Sequence, residues 1–104
     1  MFDKLMQAQQ KAEEIKKRLD NITVIGEAEA GKIKVTATGN KKVQTIEIEE
    51  SFLASADKEE LEELLVVAVN KAIEQAENVS QSEMQAATQD MLGGLGGLGN
   101  IFGK

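Results

Sequence analysis

Lys4, Lys11 and Arg18 stand seven residues apart, a spacing that lines up three cations along one flank of a helix. Lys17 falls further round the same helix and Lys16 on the opposite flank. A basic row of this kind can track a phosphate backbone. Glu13 and Lys17, and Glu14 and Arg18, also have the i,i+4 spacing of solvated surface pairs, so spacing alone leaves both readings open. Lys32, Lys34, Lys41 and Lys42 form a second basic set further along the chain. The acidic group Glu59, Glu60, Glu62 and Glu63 has no histidine beside it. It reads as solvated carboxylates favoured by a helix N-terminus, with neither catalysis nor a metal site expected there.

The composition narrows the chemistry further. Cysteine and histidine are both absent, which removes disulfides, thiolate chemistry, cysteine zinc sites, the commonest general base and the commonest metal ligand. No catalytic residues and no cofactor are expected. The net charge of −6 opposes general affinity for nucleic acid, but the charge is unevenly spread. Residues 1–46 carry nine Lys or Arg against six acids, net +3, whereas residues 47–104 carry three against twelve, net −9. The basic half can meet phosphate if the acidic half is held away from it. With Phe2, Phe52 and Phe102 as the only aromatic residues, stacking on single strands is poorly supplied, which favours duplex DNA. Gln7, Gln10, Gln81 and Gln85 are the side chains available for base edges.

The elements that must carry these cations can be read from periodicity. Leu5, Ala8, Ala12, Ile15, Leu19 and Ile22 recur at alternating steps of three and four, predicting a helix over about Phe2 to Asp20. Its stripe reads most simply as a helix lying on a sheet, and more sharply as a short heptad seam against a partner helix. Strand character is confined to residues 22–50. Ile22 to Ala30 is rich in β-branched residues and ends at a turn on Gly31. Ile33, Val35 and Ala37 alternate with Lys32, Lys34, Thr36 and Thr38. Gly39-Asn40 supplies two residues that tolerate positive φ for a tight hairpin turn, and Lys41 to Ile48 returns. Ile46 and Ile48 share a face, with Val43 on the other face unless a bulge intervenes. Phe52 and Leu53 are expected to anchor the connection that follows. Asp57 with Glu60 has the pattern of a capping box, opening a long helix to Met91. Its stripe of Leu61, Leu65, Ala68, Ala72, Ala76 and Val79 is core, whereas the stretch beyond Val79 is polar and should project as an arm.

The predicted architecture is thus α+β: an N-terminal helix, a three-strand antiparallel meander and a long C-terminal helix. It forms one domain over residues 1–91, followed by a flexible Gly-rich tail at 92–104 whose Gly-Gly-Leu repeat lacks the context of a phosphate loop. The hydrophobic fraction of 41% is heavy in alanine, so part of the core is expected between subunits. Met1-Phe2-Asp3-Lys4 leads into an amphipathic helix rather than a signal peptide, and no apolar run suits a membrane span. A cytoplasmic location is the expectation.

Four segments in order resemble the YbaB/EbfC family of bacterial nucleoid-associated proteins: the LMQAQQ opening at 5–10, GKIKVTATGN at 31–40, VQTIEIEESFL at 43–53, and ELLVVAVNKAIEQAE ending at Glu77. The resemblance implies a small, cytoplasmic, tweezer-like homodimer that binds double-stranded DNA in the nucleoid without catalysis. Its subunits would pair through their sheets and its helices would project in pairs to grip the duplex. On that basis Lys4, Lys11, Lys16, Lys17 and Arg18 are candidate phosphate contacts, with Lys32, Lys34, Lys41 and Lys42 as a second patch. The long helix departs from a simple clamp, since after Lys71 it holds Glu74, Glu77, Glu83 and Asp90 and no cation before Lys104. The competing expectation is an acidic protein-interaction module that uses the distal arm and tail to hold a protein partner.

Overall fold

The computed structural model describes residues 2–94, with side-chain surroundings described for residues 3–89. The order is α1 (Phe2–Asp20), β1 (Thr23–Ala28), β2 (Ile33–Thr38), β3 (Val43–Ile48), α2 (Glu50–Ser55) and α3 (Lys58–Gly94). The strands form an antiparallel meander in the order β1-β2-β3. No helix among the described residues is long and apolar enough to cross a membrane. Most of the predicted 92–104 tail lies outside the described residues, although α3 itself reaches Gly94.

The sheet and α3 make the core. Val24, Gly26 and Ala28 of β1 alternate inward, as do Ile33, Val35 and Ala37 of β2. Against them α3 lays Ala68, Ala72 and Ala76, all fully buried, flanked by half-buried Leu61, Leu65 and Val79. This is the stripe that the periodicity predicts. Small residues are used because the approach is close: a Cβ on Gly26 would fall 2.2 Å from the Ala68 carbonyl oxygen and 2.3 Å from the Ala72 nitrogen. The helix backbone therefore occupies the space that a side chain would take.

Both turns differ from their sequence reading. β1 ends at Ala28 rather than Ala30, because Glu29 (φ 53°), Ala30 (φ 55°) and Gly31 (φ 89°) are three successive left-handed residues. In the second turn positive φ falls on Lys41 (φ 67°) and not on Gly39 or Asn40. The Lys41 N–H donates to the Thr38 carbonyl at 2.9 Å and the Thr38 N–H to that of Lys42 at 2.9 Å. A three-residue connection ending in a left-handed residue results, so β3 starts at Val43. Gly39 serves a different purpose. Its N–H donates to the Leu19 carbonyl at 2.9 Å and that of Ile22 at 3.0 Å, and a Cβ there would lie 2.8 Å from a Leu19 methyl.

β3 does contain a bulge. Thr36 pairs with Thr45 but Ala37 pairs with Val43, so Gln44 is the extra residue. Val43 therefore shares a face with Ile46 and Ile48, opposite Ala37, Val35 and Ile33. That row is nevertheless open, with Val43 41% and Ile46 49% exposed, because α3 crosses β1 and β2 and barely touches β3. Residues 50–55 form a short helix, α2, where the sequence reading expects a plain connection. Phe52 is buried beneath it, with the Lys32 ammonium 5.6 Å from the ring centroid, but Leu53 is half exposed and anchors nothing in the core. At the start of α3, Asp57 occupies the N-cap position, its carbonyl accepting from Leu61 N–H at 2.9 Å.

α1 does not lie on the sheet. Of its apolar stripe Leu19 is buried and Ile15 half-buried, whereas Leu5, Ala8 and Ala12 are exposed. The link to β1 is Asn21-Ile22, too short to fold α1 back over a face that α3 already covers. α1 instead runs along distal α3 in the opposite sense, so that Arg18 meets Glu83 while Ala12 and Ile15 share an apolar cleft with Met84. The result is an elongated body of 63 × 31 × 17 Å.

Two stability measurements check this account. Gly26→Ala should lower unfolding free energy by at least about 2 kcal/mol in denaturant titration, since backbone must move to admit the methyl. Ala30→Gly should raise it by about 0.5–1 kcal/mol, because relief of left-handed strain exceeds the added unfolded-state freedom; an unchanged midpoint would contradict the turn conformation.

Candidate nucleic-acid interface

The last turn of α1 and the β2–β3 turn are locked together, and this junction gathers cations that are far apart in sequence. Asn40 Nδ2 donates to the Lys16 carbonyl at 2.9 Å and to Asp20 Oδ1 at 2.5 Å. Asn21 Nδ2 donates to the Lys17 carbonyl at 3.2 Å, closing the end of α1. Beneath the turn, buried Thr38 accepts through Oγ1 from the Asn40 N–H at 3.2 Å and, at 3.4 Å, from that of Lys42. Lys16, Lys17 and Arg18 from α1 thereby share a corner with Lys41 and Lys42 from the hairpin, and all five are exposed. The two basic sets expected from the sequence thus merge at this corner through these five residues.

The remaining candidates lie elsewhere. Lys4 is exposed and Lys11 half-buried, out along α1; Lys4 is roughly 20 Å from Arg18 at the helical rise. Lys32 and Lys34 sit by the β1–β2 turn at the other end of the sheet, roughly 15–20 Å from Lys41 at the rise of a strand. Lys34 is flanked by its cross-strand partners Glu27 and Glu47, and Lys32 is drawn over Phe52. These two are thus separated from the corner and surrounded by partners of their own.

Two members of the corner are also engaged. The Arg18 guanidinium donates to Glu83 Oε1 at 3.1 Å, and the Lys41 ammonium pairs with the Glu77 carboxylate. Both acids belong to α3, whose stretch 77–83 passes the corner. The sequence shows these acids as a departure from a simple clamp but offers no means of pairing them with particular cations, because each contact spans more than thirty residues. The other residue that sequence reasoning undervalues is Asn40, which reads as turn geometry while its amide joins the two elements.

The comparisons with known proteins agree with one another. The model of the YbaB/EbfC DNA-binding family matches residues 1–91. A nucleoid-associated protein of Flavobacterium johnsoniae is 41% identical over 102 residues, covering 98% of this chain and 94% of that protein. One from Chlorobium phaeobacteroides is 38% identical over 94 residues, 90% of this chain and 83% of its own length. One from Francisella philomiragia is 45% identical over 85 residues, covering 78% of this chain and 76% of that protein. In fold, the chain is similar to the crystal structure of an uncharacterized protein from Helicobacter pylori, with a TM-score of 0.63 at 18% identity, over 75% of this chain and 90% of that one. The family is one of DNA-binding proteins and not of enzymes. On the family match and these relatives, the chain is a member of the YbaB/EbfC DNA-binding family.

Proposed function

We propose that the protein is a nucleoid-associated, non-catalytic binder of duplex DNA that acts as a homodimer, with the corner formed by α1 and the β2–β3 turn as its principal phosphate contact. The observation that carries this is the junction itself: Asn40 ties the turn of α1 that bears Lys16, Lys17 and Arg18 to the hairpin turn that bears Lys41 and Lys42, so five exposed cations from two elements surround one corner of a chain whose net charge is −6. Lys4 and Lys11 extend the contact along α1, and Lys32 and Lys34 contribute least. Lysine and arginine neutralise phosphates by displacing condensed counterions, so affinity falls steeply with salt. The relatives named as nucleoid-associated proteins support the same assignment.

The dimer reading follows from the uncovered half of the sheet. On the helix-covered face, β3 presents Val43 and Ile46, with Leu53 of α2 half exposed nearby in the chain. Val66, 60% exposed, lies on the α3 stripe through Val69, Ile73 and Glu77, and Glu77 meets Lys41 of the β2–β3 turn; this is the flank of α3 toward β3. Beside this apolar surface, β3 is an edge strand whose outer backbone groups have no neighbouring strand among the described residues. A second copy supplies both an apolar face and a strand edge of the same kind, which a two-fold interface requires. Pairing there gives two corners on one particle and raises avidity for a long duplex.

Fluorescence anisotropy of a labelled duplex across a salt series tests the contact. The Lys16→Gln/Lys17→Gln/Lys42→Gln protein should lose at least about tenfold in affinity at low salt, and its log–log salt slope should shrink by close to one for each lysine that meets a phosphate. Absence of binding by the unaltered protein at low salt would sink the duplex reading and favour the acidic arm as a protein contact. For the dimer, sedimentation of Ile46→Lys should give the single-chain mass where the unaltered protein gives twice that value, and equal masses would refute the β3 interface.

A further inference from the structure

We infer that Glu77 and Glu83 are built-in competitors of DNA phosphate: in the free protein they hold Lys41 and Arg18, and duplex binding has to displace them. This rests on the duplex reading and adds to it a pair of affinity-setting residues that carry the wrong charge for the task. Arg18 and Lys41 come from different elements and flank the same corner, yet each is met by a carboxylate from one stretch of α3. The Glu83 side chain is 22% exposed and Arg18 55%, so the acid is the more firmly seated partner while the guanidinium remains open to solvent. In the other pair both side chains are 46% exposed. A phosphate can therefore reach the remaining donors of either cation, but a carboxylate that stays close by repels it and has to be drawn off before the cation's charge is fully available.

The arrangement differs from a general acidic charge. Glu59, Glu60, Glu62 and Glu63 crowd the first turns of α3, roughly 30 Å along the helix from the 77–83 stretch. Over that distance salt screens their field, whereas a carboxylate in contact with Arg18 is not screened in the same way. The masking thus acts on particular cations. Lys16, Lys17 and Lys42 then make the first encounter, and Arg18 and Lys41 join only as their pairs open.

Duplex affinity of Glu77→Gln and Glu83→Gln proteins, singly and together, provides the test. Each substitution should raise affinity about two- to fivefold, the range of an exposed ion pair, with the fold maintained by circular dichroism. Glu59→Gln/Glu63→Gln makes the same change in net charge as the double variant and should alter affinity less than about twofold. In Arg18→Gln protein, Glu83→Gln should give no gain beyond this control. If the unaltered protein binds and the double variant gains no more than the control, the masking fails while the duplex reading stands. A gain from Glu83→Gln that persists undiminished without Arg18 also overturns it. If only the double variant binds, the mask is complete and the inference holds. If neither binds at low salt, both the inference and the duplex reading are lost.

Discussion

The close approach of α3 to β1 at Gly26 is the constraint on which the rest of the structure depends. With helix backbone 2.2 Å from where a Cβ would stand, α3 has one seat on the sheet, over β1 and β2. Ala68, Ala72 and Ala76 are the side chains small enough for that seat. Each buries little area, so the contact relies on dense packing of backbone against backbone rather than on large apolar groups. Two results follow from the same seating. β3 is left with an open apolar row, and the continuation of α3 passes the sheet's end, where α1 arrives. The interface proposed for another subunit and the arm beside the cations are thus consequences of one packing choice.

The junction at Gly39 and Asn40 plays the corresponding part for α1. Its bonds to the carbonyls of Lys16, Leu19 and Ile22 fix the end of a helix that otherwise has few contacts with the sheet. Because the same turn carries Lys41 and Lys42, the fastening that positions α1 also assembles the basic surface. Structure and electrostatics are coupled at this corner by a few hydrogen bonds. The pairs with Glu77 and Glu83 add modest strength of the kind expected of exposed ions.

Much of this fold is legible in the sequence where one periodicity dominates. The alternation Ile33-Val35-Ala37 and the step of four through Ala68, Ala72 and Ala76 each report a single buried face, and the structure follows both. The turns are less legible, since glycine is used for two purposes that look alike in a sequence. Gly31 does supply positive φ, whereas Gly39 provides room for Leu19 and leaves the left-handed position to Lys41. The stripe of α1 misleads because it is amphipathic without saying which surface it faces; the brevity of Asn21-Ile22 decides that. Helix α2 escapes notice because six residues are too few for a helical period to show. For the candidate site, the cations are identifiable by type and spacing, but their convergence and their acidic partners depend on contacts that span tens of residues.

One further consequence lies in the continuity of α3. The helix runs unbroken from the core stripe at Ala68–Ala76 through Glu83 and Met84, so it is at once a wall of the core and the shaft of the arm. Every residue in it fixes an angular phase of about 100° and an advance of about 1.5 Å. A single insertion or deletion between Val79 and Glu83 would leave the core stripe in place but swing the rest of the arm by more than a quarter turn. Changes of seven or eleven residues, which nearly restore the phase, are the smallest regular steps that keep the same side toward α1. The length of this segment, more than the identity of most residues in it, sets which side of the arm meets α1.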